Sequence, residues 1–410
     1  MANNNTIPAA TDQGTRAWSF MVGACMIEGL MWGLPLNFGV FQSYYQKNHI
    51  FTSSNHLPLV GTLTTAISYL GAPLMTLLTV KYPRLQHRMI WFGWALCVVS
   101  LIGSSFSTKV WHLIIMQGVL YGIGFLIIYY PLLNMLNGWF VERRGLAYGI
   151  MFASSGIFGA GLPFLLEHLL YKYGYPTTLR IYSVAICVLV GPTLPLLHSR
   201  LSDSLDFETN MRFDTSVFKK PTFLVIVLSN IPQGLVFFLP SVYLPSFAST
   251  IGLSAAQGTI VLSALNVCQI ISQLSMGYAS DLFNPIAPMV VSTMFSGVVV
   301  LGIWGSSNGF ILLLTFGILY GLFSGGYSVL YSRFVTLLTK EADMGLWLYS
   351  MLEFQRGIGN LIGGYISSLM IGDSEAEYDN LILLIGITLL VSSLSGIGYW
   401  MFRFLACFRT

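Results

Sequence analysis

The chain has 410 residues, of which 55% are hydrophobic and only 9% charged, with a net charge of +3 and a mean hydropathy of +0.71. A soluble domain carries about 25% charged residues, so 19 Lys+Arg and 16 Asp+Glu are too few to coat a water-facing surface. That excludes a cytosolic enzyme, a secreted disulfide scaffold and a disordered chain. The five cysteines (Cys25, Cys97, Cys187, Cys268 and Cys407) are scattered, and neither they nor the six histidines show ligand spacing. With no phosphate-binding G-x-x-x-x-G-K-[ST] loop either, no enzyme, no metal, no cofactor and no direct use of ATP is expected.

A bilayer core needs about 20 apolar residues per helix. Twelve runs qualify: 17–44, 57–80, 89–107, 111–137, 145–170, 179–197, 221–248, 256–280, 286–306, 309–336, 344–371 and 380–404. They are long and continuous, unlike the short alternating strands of a membrane barrel. Residues 1–15 are polar, with no basic segment leading into an apolar one, so no cleaved leader is expected. With the N-terminus inside, fourteen Lys/Arg fall on the inner side and four (Lys47, Lys109, Lys172 and Arg180) on the outer. This bias fits the positive-inside rule and places both termini in the cytoplasm. The longest inner loop divides the chain. The expected fold is an all-α membrane protein of twelve transmembrane helices in two pseudo-symmetric six-helix halves, 1–197 and 221–410, joined by a cytoplasmic linker at 198–220.

In chain order, the candidate site residues begin with Glu28, about 18 Å into span one at 1.5 Å per residue. A buried carboxyl there is either linked to substrate or proton, or held neutral by a nearby backbone group. Span five carries Gly145, Gly149, Ala153, Gly156 and Ala160 on one face, a pattern for close helix packing. Asn230 and Gln233 flank Pro232 in span seven. Asn266, Gln269 and Gln273 line one face of span eight with Gly277, and Tyr320, Ser324, Tyr327 and Tyr331 recur along span ten. Such uncharged polar groups, mixed with aromatics, suit a solute with polar and ring or apolar parts; the alternative is helix–helix hydrogen bonding. Glu353 and Arg356, three apart in span eleven, form either a self-neutralising pair or a functional one.

Two six-helix halves joined by a charged inner loop resemble major facilitator transporters. Three stretches carry the resemblance. The run from Gly277 to Asp281 matches the family's G-x-x-x-D at the inner end of span eight, whereas the loop after span two has Val80 in place of the acid. The segment from Trp32 to Tyr45 and the segment from Trp139 to Gly149 look like the monocarboxylate-transporter family, particularly its fungal branch; Asp12, Gly14, Ala17 and Trp18 keep most of that branch's opening motif. The resemblance implies substrate contact at Trp32 and an inner gate at Arg143, Arg144, Asp281 and Arg333. Span ten descends to the inner face and places Arg333 about where Arg143 sits in the first half, so Asp281 is expected to pair with Arg333. The resemblance also implies departures: the positions of the family's substrate-binding lysine and its proton-coupling Asp/Arg pair are Leu36, Gln269 and Gln273, none of which titrates.

The expected function is transport by alternating access of a small organic solute, with a monocarboxylate or related organic acid as the first class and a proton as the candidate co-substrate. The expected partners are that solute and the lipid bilayer, with no nucleic acid, and the expected location is the plasma membrane or an internal one. An exporter of a larger amphipathic metabolite or drug-like compound, and a non-transporting sensor on the same scaffold, are the alternatives.

Overall fold

The structure, a computed structural model, describes residues 12–48, 50, 57–200, 215–370 and 375–407. Every element among them is helical. Span one consists of α1 (Thr15–Leu36) and α2 (Phe38–Lys47), and span two of α3 (Pro58–Leu70) and α4 (Ala72–Lys81). Span three is α5 (Gln86–Ser104). Span four joins α6 (Val110–Leu113), a π-helical stretch Ile114–Leu120 and α7 (Tyr121–Trp139). The long helix α8 (Arg144–Leu189) follows. In the second half, α9 (Pro221–Val236) and α10 (Leu239–Thr250) form span seven, α11 (Ala255–Leu282) span eight, and α12 (Ile286–Val299) with π-helical Val300–Trp304 span nine. Span ten runs through α13 (Phe310–Ser324), a 3-10 turn and α14 (Tyr331–Leu338); α15 (Ala342–Met370) and α16 (Glu375–Cys407) complete the chain.

Among the described residues, nine segments are long and apolar enough to cross a bilayer, and the α3–α4 pair, bent by 47°, makes a tenth. The other two of the expected twelve have physical explanations. Residues 144–196 form one continuous helical segment that contains both span five and span six, broken at Gly174 (φ 75°, ψ 167°) two residues before Pro176. That left-handed backbone needs glycine. The 29-residue α15 has the length of a span but holds Glu353 and Arg356, which lower its apolar character. The architecture is the twelve-helix one.

The other breaks fall where the sequence loosens the backbone. Asn37 separates α1 from α2 and donates its Nδ2 to the Gly33 carbonyl at 2.7 Å. Gly71 separates α3 from α4 where a Cβ would stand 2.3 Å from Leu126 Cδ2. At the α13 end, Gly325 and Gly326 lie against Gln269 and Met276 of α11, each with a Cβ position under 3 Å from its neighbour. The N-terminus of α11 is closed by a capping box, Ser254 Oγ accepting from Gln257 N while Ser254 N donates to Gln257 Oε1.

The molecule divides into two compact units, residues 1–147 with 163–212, and residues 148–162 with 213–410. Most of the expected linker, 201–214, lies outside the described residues, as do Asn4 to Thr6. The stretch 148–162 of α8 belongs to the second unit, where its small residues let it approach α11. A Cβ on Gly149 would sit 2.6 Å from the Gln273 carbonyl, and one on Gly156 2.6 Å from Ile270 Cγ1. The second unit's core gathers Phe247, Trp304, Phe316 and Tyr320, with Trp304 stacked on Phe316 at 4.8 Å.

The closest helix contact in that unit joins α9 to α15. A Cβ on Gly359 would meet the Gly234 carbonyl carbon at 2.8 Å, and one on Gly363 would meet the Leu235 oxygen at 1.8 Å. Gly363→Val is therefore expected to destabilise the protein by at least the ~1–3 kcal/mol typical of overpacking, read as a lower melting temperature in detergent. Gly364→Ala, where a Cβ meets nothing within 4 Å, is expected to leave it unchanged.

Candidate substrate site

In the first unit, the interior of α1 is built around an acid and an aromatic wall. Glu28 is 4% exposed. Two hydroxyls fix the backbone just beyond it: Tyr121 Oη donates to the Met31 carbonyl at 2.7 Å, and Tyr182 Oη donates to the Leu30 carbonyl. One turn past Glu28, half-buried Trp32 stacks on Phe125 (centroids 5.0 Å, 30° between planes) and meets Tyr69 edge-on at 5.6 Å. Phe125 continues the stack to half-buried Tyr129 at 5.3 Å. The four rings come from spans one, two and four. Leu36, where the resemblance places a lysine, is 40% exposed.

In the second unit, α15 presents Tyr349, Glu353, Arg356 and Asn360 at i, i+4, i+7 and i+11, one face of a helix. Glu353 and Arg356 are each 3% exposed. The Arg356 guanidinium lies over the Phe237 ring at 4.4 Å and near the Phe238 ring at 5.3 Å. Such cation–π contacts are worth up to ~2 kcal/mol when desolvated.

The uncharged candidates separate into two groups. Asn230 is fully engaged: its Oδ1 accepts from Tyr331 Oη, and its Nδ2 donates to the Leu352 carbonyl (2.9 Å) and Gln355 Oε1 (3.2 Å). Tyr327 donates to Ser229 Oγ at 3.0 Å, and Tyr320 to the Phe237 carbonyl at 3.1 Å. These bonds join span ten to span seven. By contrast, the buried oxygens Gln233 Oε1, Gln273 Oε1, Glu353 Oε2 and Asn360 Oδ1 accept no hydrogen bond. A buried acceptor without a donor is costly, so these four atoms are places where a water or a solute donor would be stabilising. In span eight, Gln269 lies against Gly325, while the backbone at Gln273 lies against Gly149, so the stripe is shared between two neighbouring helices.

At the end that the charge count assigns to the cytoplasm, Arg333 Nε is 3.1 Å from Asp281 Oδ1 and 3.2 Å from the Ser280 carbonyl. The pair expected from the sequence is present. Arg143 and Arg144 follow α7, with Arg144 Nε and Nη2 donating to the Phe140 and Asn137 carbonyls. Their loop is organised by Asp12. Its carboxylate accepts from the backbone N–H of Val141, Glu142 and Arg143 at 2.9–3.2 Å, and its own N–H donates to the Trp139 carbonyl at 3.0 Å. Helix α8 has no side-chain cap, and the turn that leads into it is instead held by a residue about 130 positions upstream.

Tyr69, Phe125 and Tyr129 escape sequence reasoning because the wall joins three helices and has no periodicity along any one. Asn360 was detectable, since extending the Glu353/Arg356 face by one turn reaches it. Asp12→Ala should lower stability by about 1–3 kcal/mol, the cost of leaving hydrogen-bonding groups without their charged acceptor. Asp12→Asn, which keeps one acceptor, should lose less; thermal unfolding of the two variants measures the difference.

Residues 20–264 and 226–405 match the family model described as Major Facilitator Superfamily. The chain is 24% identical over 384 residues to the MFS transporter asaE of Aspergillus flavus, covering 93% of this chain and 86% of that protein. It is 26% identical over 390 residues to the agnestins efflux protein AgnL12 of Paecilomyces divaricatus, covering 94% and 88%. Among solved structures, it superposes on the proton:xylose symporter XylE bound to 6-bromo-6-deoxy-D-glucose with a TM-score of 0.71 at 12% identity, covering 95% of both chains. A bacterial homologue of the iron transporter ferroportin in its outward-facing state gives 0.68 at 14% identity, covering 95% of this chain and all of the other. At these identities the structural likeness shows the fold.

Proposed function

Because the chain belongs to the major facilitator superfamily, we propose that this multi-pass membrane transporter exports an amphipathic organic solute carrying an aromatic or similarly flat ring. The observation that carries this reading is the wall formed by Trp32, Tyr69, Phe125 and Tyr129, three of whose rings are half-buried. Aromatic faces bind rings and offer little to a two- or three-carbon acid. Leu36, Gln269 and Gln273, at the positions where the family's carboxylate-binding and proton-coupling charges fall, support the larger solute over a lactate-like one. A relative of similar length whose name includes efflux supports the outward direction. The positive-inside count supports cytoplasmic termini.

In this reading Asp281, Arg333, Arg143 and Arg144 belong to the inner gate, and Glu28 carries a coupling proton one turn from the ring wall. Proteoliposomes loaded with ring-bearing or short aliphatic acids test the proposal. Trp32→Ala should raise the KM for ring-bearing solutes about 2- to 12-fold, the equivalent of ~0.5–1.5 kcal/mol per aromatic pair, and Trp32→Phe should restore most of the loss. Equal transport of lactate and of ring-bearing solutes by the wild type would sink the reading.

Glu28→Gln, which mimics the protonated acid, should retain solute exchange while losing its dependence on a proton gradient. Gradient-driven transport that survives the substitution would make Glu28 a structural acid.

A further inference from the structure

We propose that the outer end of span five carries a headgroup site for phosphatidylcholine, with the ammonium between Glu167 and the rings of Phe164 and Tyr171 and the phosphate against His168 and Lys172. The inference concerns the lipid around the carrier and stands apart from the solute it moves.

The site lies in the first unit, on the distal part of α8. Phe164, Glu167, His168, Tyr171 and Lys172 line one open groove of about 510 Å³. Counted from Arg144 at the start of α8, Glu167 lies about 34 Å along the helix at 1.5 Å per residue. A hydrocarbon core is ~30 Å thick, so a helix that enters it at Arg144 leaves it near Glu167. The groove is therefore at the level of the phospholipid headgroups, where tyrosine is enriched, and the positive-inside count assigns it to the outer leaflet.

The order of the side chains around the helix is that of a zwitterion's complement. At about 100° per residue, Phe164 and Tyr171 fall between Glu167 on one side and His168 on the other, and Lys172 lies one turn beyond His168. The face runs from an acid, across two rings, to an imidazole and an ammonium. All of these side chains are exposed. Among the described residues, Glu167 and His168 make no hydrogen bond or ion pair. Tyr171 is met edge-on by Tyr44 of span one at 5.7 Å, which steadies its ring. Lys172 Nζ lies over the Tyr173 ring at 5.2 Å, and an ammonium with three donors can serve a phosphate as well.

Charge complementarity decides the occupant. An acid and basic groups on one face of a span suit a molecule that carries both signs. A quaternary ammonium donates no hydrogen bonds and is held by ring faces and a nearby carboxylate. The phosphate of the same headgroup takes N–H bonds from imidazole and lysine. An anionic lipid without an ammonium meets Glu167 with like charge. Phe164 and Leu165, both exposed, lie nearer the membrane core than the charged groups and offer apolar surface to acyl chains, which a water-soluble solute lacks.

Native mass spectrometry of the purified full-length chain measures the binding of dioleoyl phosphatidylcholine, phosphatidylethanolamine and phosphatidylglycerol, titrated one at a time. Phosphatidylcholine should bind about threefold or more tighter than either of the others, within the range of one cation–π contact. Glu167→Gln should bring its preference over phosphatidylglycerol to about one. Tyr171→Leu should do the same for its preference over phosphatidylethanolamine, and Tyr171→Phe should keep that preference. His168→Ala/Lys172→Ala should weaken all three lipids. Melting curves in the same detergent identify a variant that fails to fold; if Tyr171→Leu is one, because it loses the Tyr44 contact, Phe164→Leu takes its place.

Equal binding of the three lipids by the wild type would overturn the site. So would a preference for phosphatidylcholine that survives unchanged in folded Glu167→Gln and Tyr171→Leu. Soluble phosphocholine, which has the headgroup without the chains, should bind at least about tenfold more weakly than the lipid; equal binding would make this a solute site and overturn the lipid assignment.

Discussion

The polar interior of the second unit depends on one helix contact, the backbone-to-backbone approach of α9 and α15 at Gly234, Gly359 and Gly363. In a bilayer the lipid is as apolar as leucine, so helices are held together by close van der Waals packing and interhelical hydrogen bonds. Here glycine on both helices removes the side chains that would hold them apart. Phe237 is thereby brought over Arg356, and Asn230 within reach of the Leu352 carbonyl. Neither interaction survives if the helices separate by the width of a methyl group. The same contact helps to bury Gln233 and Glu353, whose Oε1 and Oε2 atoms respectively accept no hydrogen bond.

A second constraint operates at the ends of the spans. The last carbonyls of a helix have no partner within it. In the first unit Asp12, just ahead of α1, donates its N–H to the Trp139 carbonyl at the end of α7. In the second unit Lys220, just ahead of α9, donates its Nζ to the Leu338 carbonyl at the end of α14, at 2.7 Å. Each unit thus ties the entrance of its first span to the exit of its fourth, using different chemistry for the same geometric task. A cation at a helix C-terminus and an anion at a helix N-terminus both gain from the helix dipole. Lys220 has the first arrangement, and Asp12, against the start of α8, has the second. The repeat is structural, since Asp12 and Lys220 have opposite charges.

This explains what the sequence could reveal. The spans were legible because a bilayer imposes length and apolarity on each helix independently of its neighbours. The Asp281–Arg333 pair was legible because two charges at the same depth, on spans eight and ten, have few other partners. Glu353 and Arg356 stood out because charge in an apolar run is conspicuous. The four-ring wall was hidden because its members lie on different helices, and aromatic residues are common along every span. Hydropathy separated spans five and six, and the small-residue face of span five signalled close packing, but not that its partner would be α11 of the second unit. The span-eight stripe was visible as a stripe. Its division between Gly325 on one side and Gly149 on the other depends on where two glycines of other helices press against it.

The buried charges also differ in kind between the units. Glu28 lies in a span whose next residues, Leu30 and Met31, accept tyrosine hydroxyls at their carbonyls and whose Trp32 stacks on Phe125. Glu353 shares its helix face with Arg356, and both are buried within one span. Opposite charges one turn apart offset part of each other's cost of burial inside a single helix. The acid of the first unit has tyrosine hydroxyls and rings of neighbouring helices beside its span instead, so its surroundings are set by how those helices pack.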